Sequence, residues 1–193
     1  MRWEQLFSDL EAQYDELADA EVMAELADRQ RVAAGGIGMV QRIAGAVGRP
    51  VRLRTAAGIA VSGTLAHVGP DWLLVQEGPG REVMVALRST TIVEGLAATT
   101  GTPMRGVELR LDLRQALRGL ARDRAPISLV VVGGVGEPTS LHTEITGTID
   151  RLGADFLEMA LHAPWEPRRS ASVRSIVLVP LPAVVLVRAV PLG

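Results

Sequence analysis

Apolar residues near the amino terminus recur in steps of four and three: Trp3, Phe7, Leu10, Tyr14 and Leu17, with Leu6 beside them and Glu4, Asp9, Glu11, Asp15 and Glu16 between. That period predicts an amphipathic helix with an acidic outer face. The stripe drifts where Glu21 and Ala24 take the next seam positions, which argues against a long coiled coil. Its large side chains need a surface to bury against, on this chain, on a second copy or on another protein. Trp3, Phe7, Leu10 and Tyr14 are therefore the candidate partner contacts. The stretch AAGGIG at 33–38 interrupts the helical region, because interior glycines weaken a helix. A second helix is predicted over 39–47, ending at Gly48-Arg49-Pro50, where proline forbids continuation.

From Pro50 onward the period changes to two. It predicts strands over 51–54, 60–68, 72–77, 82–87 and 91–94, joined by tight turns at Gly69-Pro70-Asp71 and Gly78-Pro79-Gly80. AATTGTPMRG at 97–106 reads as a linker. The order then recurs, with a helix over 109–122 and RAPISL (124–129) answering GRPVRL (48–53). GTIDRLGADFLEM (147–159) answers GTLAHVGPDWLLV (63–75), and VPLPAVVLV (179–187) answers VALRSTTIV (85–93). The offset grows from 76 to 84 to 94, which places two insertions in loops of the second copy. Trp72 and Phe156 alternate with apolar neighbours and are expected in the core. The predicted fold is mainly β with N-terminal helices: two tandem five-stranded small barrels, each preceded by a helix. The corresponding domains are an acidic helical arm (1–38), a first barrel (39–96), a linker (97–106) and a second barrel (107–193).

The succession VGRPVRLR, GTLAHVGPDWLLV, VALRSTTIVEGL resembles the Sm-like small barrel of LSm proteins and bacterial Hfq over residues 39–96, and more faintly over 109–190. SH3-like barrels share that strand order and bend, so both assignments stand. The family's strongest mark is the bent second strand, Gly63-Thr64-Leu65 and Gly147-Thr148-Ile149. Its RNA-binding residues do not carry over. Gly69 and Leu73, or Gly153 and Leu157, occupy the positions of the family's aspartate and asparagine, and IVEGL and LVRAV replace its arginine-glycine signature. The chain is also similar to uncharacterised proteins of high-GC actinobacteria labelled as Fis-type transcriptional regulators. That label implies a carboxy-terminal helix-turn-helix, whereas SIVLVPLPAVVLVRAV reads as strands.

Composition narrows the chemistry. With 193 residues and 48% hydrophobic content the chain can bury a substantial core. There is no cysteine, so disulfides and thiolate metal sites are excluded. All twenty basic residues are arginine. A Walker-type phosphate loop and Schiff-base catalysis both need lysine, so both are closed. The longest apolar run, 176–187, holds Pro180 and Pro182 and is shorter than a bilayer span. The amino terminus lacks a basic start and apolar block, so a cytoplasmic protein without membrane contact is expected. Residues 1–31 carry nine acids against three arginines, so the arm is acidic and the remainder mildly basic.

No constellation suggests catalysis. His67, His142 and His162 form neither an HxH nor an HExxH pair, Asp71 and Asp155 sit in turns, and GGVGEP (133–138) lacks the GK[ST] of a phosphate cradle. No cofactor, metal or small-molecule substrate is expected. The long insertion HAPWEPRRSASVR (162–174) offers Trp165 for stacking on a base and Arg168, Arg169 and Arg174 for phosphates. Arg49, Arg52 and Arg54 add a basic face. The expected function is a non-enzymatic oligomerising or adaptor module whose partner is itself or another protein. The alternative is an RNA- or DNA-binding regulator using the basic loop.

Overall fold

The computed structural model describes residues 35–96, 98–133, 141–163, 165 and 173–190, together with Met23 and Glu25. The chain divides into two compact units, Met1–Gly38 and Met39–Gly193. In the first, Met23, Glu25 and Gly35 are helical. Trp3, Phe7, Leu10 and Tyr14 lie outside the described residues.

The second unit is mainly β. Its elements are α1 (Met39–Ala44), β1 (Pro50–Thr55), β2 (Ala60–Val68), β3 (Trp72–Gly78), β4 (Arg81–Ala86), β5 (Thr90–Glu94), α2 (Leu113–Asp123), β6 (Ile127–Val132), β7 (His142–Leu152), β8 (Phe156–Leu161), β9 (Ser175–Pro180) and β10 (Val184–Ala189). Both helices are shorter than the pattern predicts. α1 stops before Gly45, where the Thr99 backbone lies so close that a Cβ has no room. α2 begins only after a 3-10 turn at Glu108–Arg110. Asp112 caps it, its carboxylate accepting the Gln115 N–H at 2.8 Å. No helix among the described residues is long and apolar enough to cross a membrane.

The strands overturn the expectation of two closed barrels, each with its own helix. They form one open ten-stranded sheet in the order β5-β1-β2-β3-β4-β10-β6-β7-β8-β9, antiparallel throughout. Closing the first five strands requires β4 to pair with β5. The free side of β4 is instead taken by β10, with Val83, Met84 and Val85 opposite Arg188, Val187 and Leu186. Closing the second five requires β9 to pair with β10, yet both sides of β10 are occupied, by β4 and β6. β5 and β9 are left at the two ends.

Packing explains why this junction wins over closure. One core gathers Leu53, Leu65, Leu73, Val75, Val83 and Val85 with Ile43, and it also takes Val185 and Leu186 from β10. The other gathers Leu113, Leu117, Leu129, Leu157 and Met159, and it takes Trp72 and Ala86 from the first half. Along β3 and β4 alternate side chains therefore enter different cores: Leu73, Val75, Val83 and Val85 the first, Trp72, Leu74, Met84 and Ala86 the second. Strands covered on both faces gain about 25 cal/mol for each Å2 of apolar surface removed from water on either side. Separate barrels would expose one of those faces.

Candidate functional site

The two halves place corresponding strands in corresponding positions. In each, the second and third strands meet at a turn closed by a glycine N–H, Gly69 to the Trp72 carbonyl and Gly153 to the Phe156 carbonyl, both at 2.8 Å. The fourth strand then runs into a 3-10 turn, Leu87–Ser89 or Leu181–Ala183, whose first N–H bonds the Asp71 or Asp155 carbonyl at 2.8 and 2.7 Å. The fifth strand returns to pair with the first, β5 with β1 and β10 with β6. The junction inside the chain thus joins the fourth strand of one half to the fifth strand of the other. What remains at the open ends is a fifth strand, β5, and a fourth, β9.

Polar contacts reinforce the junction. Arg88 Nε donates to the Pro182 carbonyl at 3.1 Å, Ser89 Oγ donates to the Val185 carbonyl at 3.1 Å, and Arg188 lies 3.7 Å from Glu77. Desolvation lowers the Arg88 guanidinium from its ordinary pKa, and the Asp71 charge opposes that shift. The Asp71 carboxylate also accepts the Leu113 N–H at 2.7 Å, and Trp72 Nε1 donates to the Leu111 carbonyl at 2.8 Å. Turn residues of the first half thereby hold the start of α2. The sequence places Asp71 only in a turn, because the distance of 42 positions to Leu113 hides the partner.

The open edges carry apolar side chains. On β9, Ile176 is 62% and Leu178 60% exposed, and on β5, Ile92 is 46% exposed. Of the residues proposed for nucleic-acid contact, Trp165 stands 82% exposed and Arg174 is exposed just before β9, while Arg168 and Arg169 lie outside the described residues. Arg52 and Arg54 project from the solvent face of β1, and Arg49 is exposed just before it. Arg54 is paired with Glu94 at 3.0 Å. These arginines sit in the first half and Trp165 and Arg174 in the second, at opposite ends of the strand order.

The histidines have structural partners. His67 is tilted over Trp72 at 5.3 Å between ring centroids, and His142 Nδ1 lies 3.1 Å from the Ala57 carbonyl. His162 is buried, with Nδ1 2.9 Å from the Ala163 carbonyl and Nε2 2.7 Å from Thr148 Oγ1. A carbonyl only accepts, so Nδ1 carries a proton, and in the neutral imidazole Thr148 donates to Nε2. Trp72 is buried as expected, whereas Phe156 is only half-buried over Gly153. No protein-family model, curated protein or solved structure matches this chain.

Proposed function

We propose that this chain is a non-enzymatic assembly module that joins copies of itself head to tail by strand addition, β5 of one copy lying along β9 of the next. The observation that carries this reading is the β4–β10 junction, where a fourth and a fifth strand of the same two kinds already pair. Its register, transferred to the open ends, sets Ile92, Val93 and Glu94 opposite Val179, Leu178 and Val177 of the neighbouring copy. The composition of β9 supports it. Unprotected edges are ordinarily blunted by charge, proline, bulges or short length; β9 ends in Pro180 but carries no charge and is apolar on both faces over 176–179. Leu178 is the counterpart of Met84, which the second core half-buries. Such a contact is heterologous, giving rings where the rotation closes and filaments where it does not.

Mass photometry of the full chain at micromolar concentration tests the proposal. Multiples of the 20.5 kDa chain are expected, and Ile176→Lys with Leu178→Lys should return the monomer without loss of fold, since both side chains are exposed. A wild-type chain that stays monomeric refutes it.

A second reading, contact with RNA or DNA, is favoured by the exposure of Trp165, whose ring is free to stack on a base. Fluorescence anisotropy with labelled single-stranded RNA and duplex DNA tests it. Binding that weakens steeply with salt and falls in Trp165→Ala supports contact, and no binding at low salt rejects it.

A further inference from the structure

We infer that the cleft where the end of α2 meets β7 binds an oligophosphate, either an inorganic di- or triphosphate or the phosphate tail of a nucleotide. The cleft measures about 480 Å3 and is lined by Ala121, Arg122, Arg124, Ile149, Asp150 and Arg151. Three arginines and one aspartate line the cleft, a formal excess of positive charge that the negative end of the α2 macrodipole partly offsets. Arg151 lies in a long contact, Nε to Glu158 at 3.7 Å, with most of its side chain in solvent. Such an exposed pair holds its arginine weakly.

The backbone supplies an independent observation. Arg124 closes α2 in the left-handed region, at φ 49° and ψ 32°, and is the one non-glycine residue with positive φ among the described residues. Glycine is the ordinary choice there, because any Cβ is crowded. At the corresponding turn of the first half, ahead of Pro50, the residue is Gly48 with φ 80°. The turn therefore needs no arginine and is strained by one, which points to a use for the side chain. The other two arginines are also peculiar to the second half. Ala46 stands where Arg122 does, and His67 where Arg151 does.

A cation in the last turn of a helix complements the macrodipole, which accounts for Arg122 alone. Arg151 arrives from a strand, and Arg124 replaces a glycine. The lining identifies the ligand class. Among the described residues no aromatic side chain borders the cleft, and the apolar contribution is limited to Ala121 and Ile149, so a base or an acyl chain finds little surface there. Guanidinium forks match phosphate oxygens in pairs, and several of them around one cleft suit a chain of phosphates.

Isothermal titration calorimetry of the full chain with pyrophosphate, triphosphate and ATP at low salt is the test. Saturable binding is expected, weakening with salt, with affinity falling about tenfold or more in Arg124→Gly and in Arg151→Ala. Arg124→Gly restores the residue that the first half uses, so its melting temperature should hold or rise while binding falls. That pairing separates loss of the site from loss of the fold. ATP binding tighter than triphosphate assigns the ligand to nucleotides, and equal affinity assigns it to inorganic oligophosphate. The inference is overturned by absence of binding at low salt, by affinities unchanged in both variants, or by single-stranded RNA binding through these arginines while the oligophosphates do not.

Discussion

Replacing Asp71 with alanine should cost far more than the same change at Asp155, although the two occupy matching turns. The Asp71 carboxylate accepts the Leu113 N–H at 2.7 Å, one of the donors that the start of a helix leaves unpaired. It is also the charge that opposes the desolvation of Arg88. Asp155 is exposed at its turn. Losing a helix-start acceptor costs about 0.5–2 kcal/mol, and a hydrogen bond to a charged group is worth about 1.5–3 kcal/mol. A loss of about 2 kcal/mol is therefore expected for Asp71→Ala, against under about 0.5 kcal/mol for an exposed substitution such as Asp155→Ala. With a urea slope of about 2 kcal/mol/M, the midpoint should fall by about 1 M. Urea titration followed by far-ultraviolet circular dichroism measures it. Asp71→Asn keeps an acceptor oxygen and should recover part of the loss. Equal midpoints for Asp71→Ala and Asp155→Ala would refute the claim that this carboxylate ties the first half to α2.

Gly63→Ala and Gly147→Ala should each destabilise by about 1–3 kcal/mol or more, since a Cβ there drives into the carbonyl oxygen of Gln76 or Ala160 on the next strand; thermal melts read the loss. Leu186→Ala should cost about 2–5 kcal/mol in urea, because this fully buried side chain of β10 packs in the first core at the junction. Thr148→Val should cost about 1–3 kcal/mol by leaving His162 Nε2 buried without a donor. Nitrogen-resolved NMR should find the proton of wild-type His162 on Nδ1, and a proton on Nε2 would overturn that assignment.

Much of the local structure was legible. The period of two located all five strands of the first half within a residue or two, and the glycine turn at 69–71 is where the sequence predicts it. Helix lengths were read less well. The helix gives way to turns at Gly45, where the Thr99 backbone, 54 positions away, leaves no room for a Cβ, and a window of neighbouring residues contains no trace of that approach. The candidate sites divide in the same way. Exposure of Arg52 and Arg54 follows from strand alternation, but the Arg54–Glu94 pair depends on which strand lies beside β1. Nothing in the sequence groups Arg122, Arg124 and Arg151, because the cleft exists only once the end of α2 is set against β7.

The error over closure had a signal in the residues themselves. A small barrel wets the outer face of each strand, which demands alternation, and β1 obeys with every second residue exposed. WLLV in β3, VMVA in β4, SLVVV in β6 and VVLV in β10 do not alternate, and these four strands lie together in the middle of the sheet with both cores against them. Continuous apolar runs mark strands with two covered faces. The same criterion applied to β9 gives an answer at odds with its position: IVLV reads as a central strand, yet it lies at an edge with Ile176 and Leu178 in solvent. In β5, TTIVE is shorter in its apolar run and ends in Glu94, paired with Arg54. The strand whose sequence most exceeds the burial that one chain provides is thus β9, which is why lysines at 176 and 178, rather than changes on β5, are the sharper perturbation of assembly.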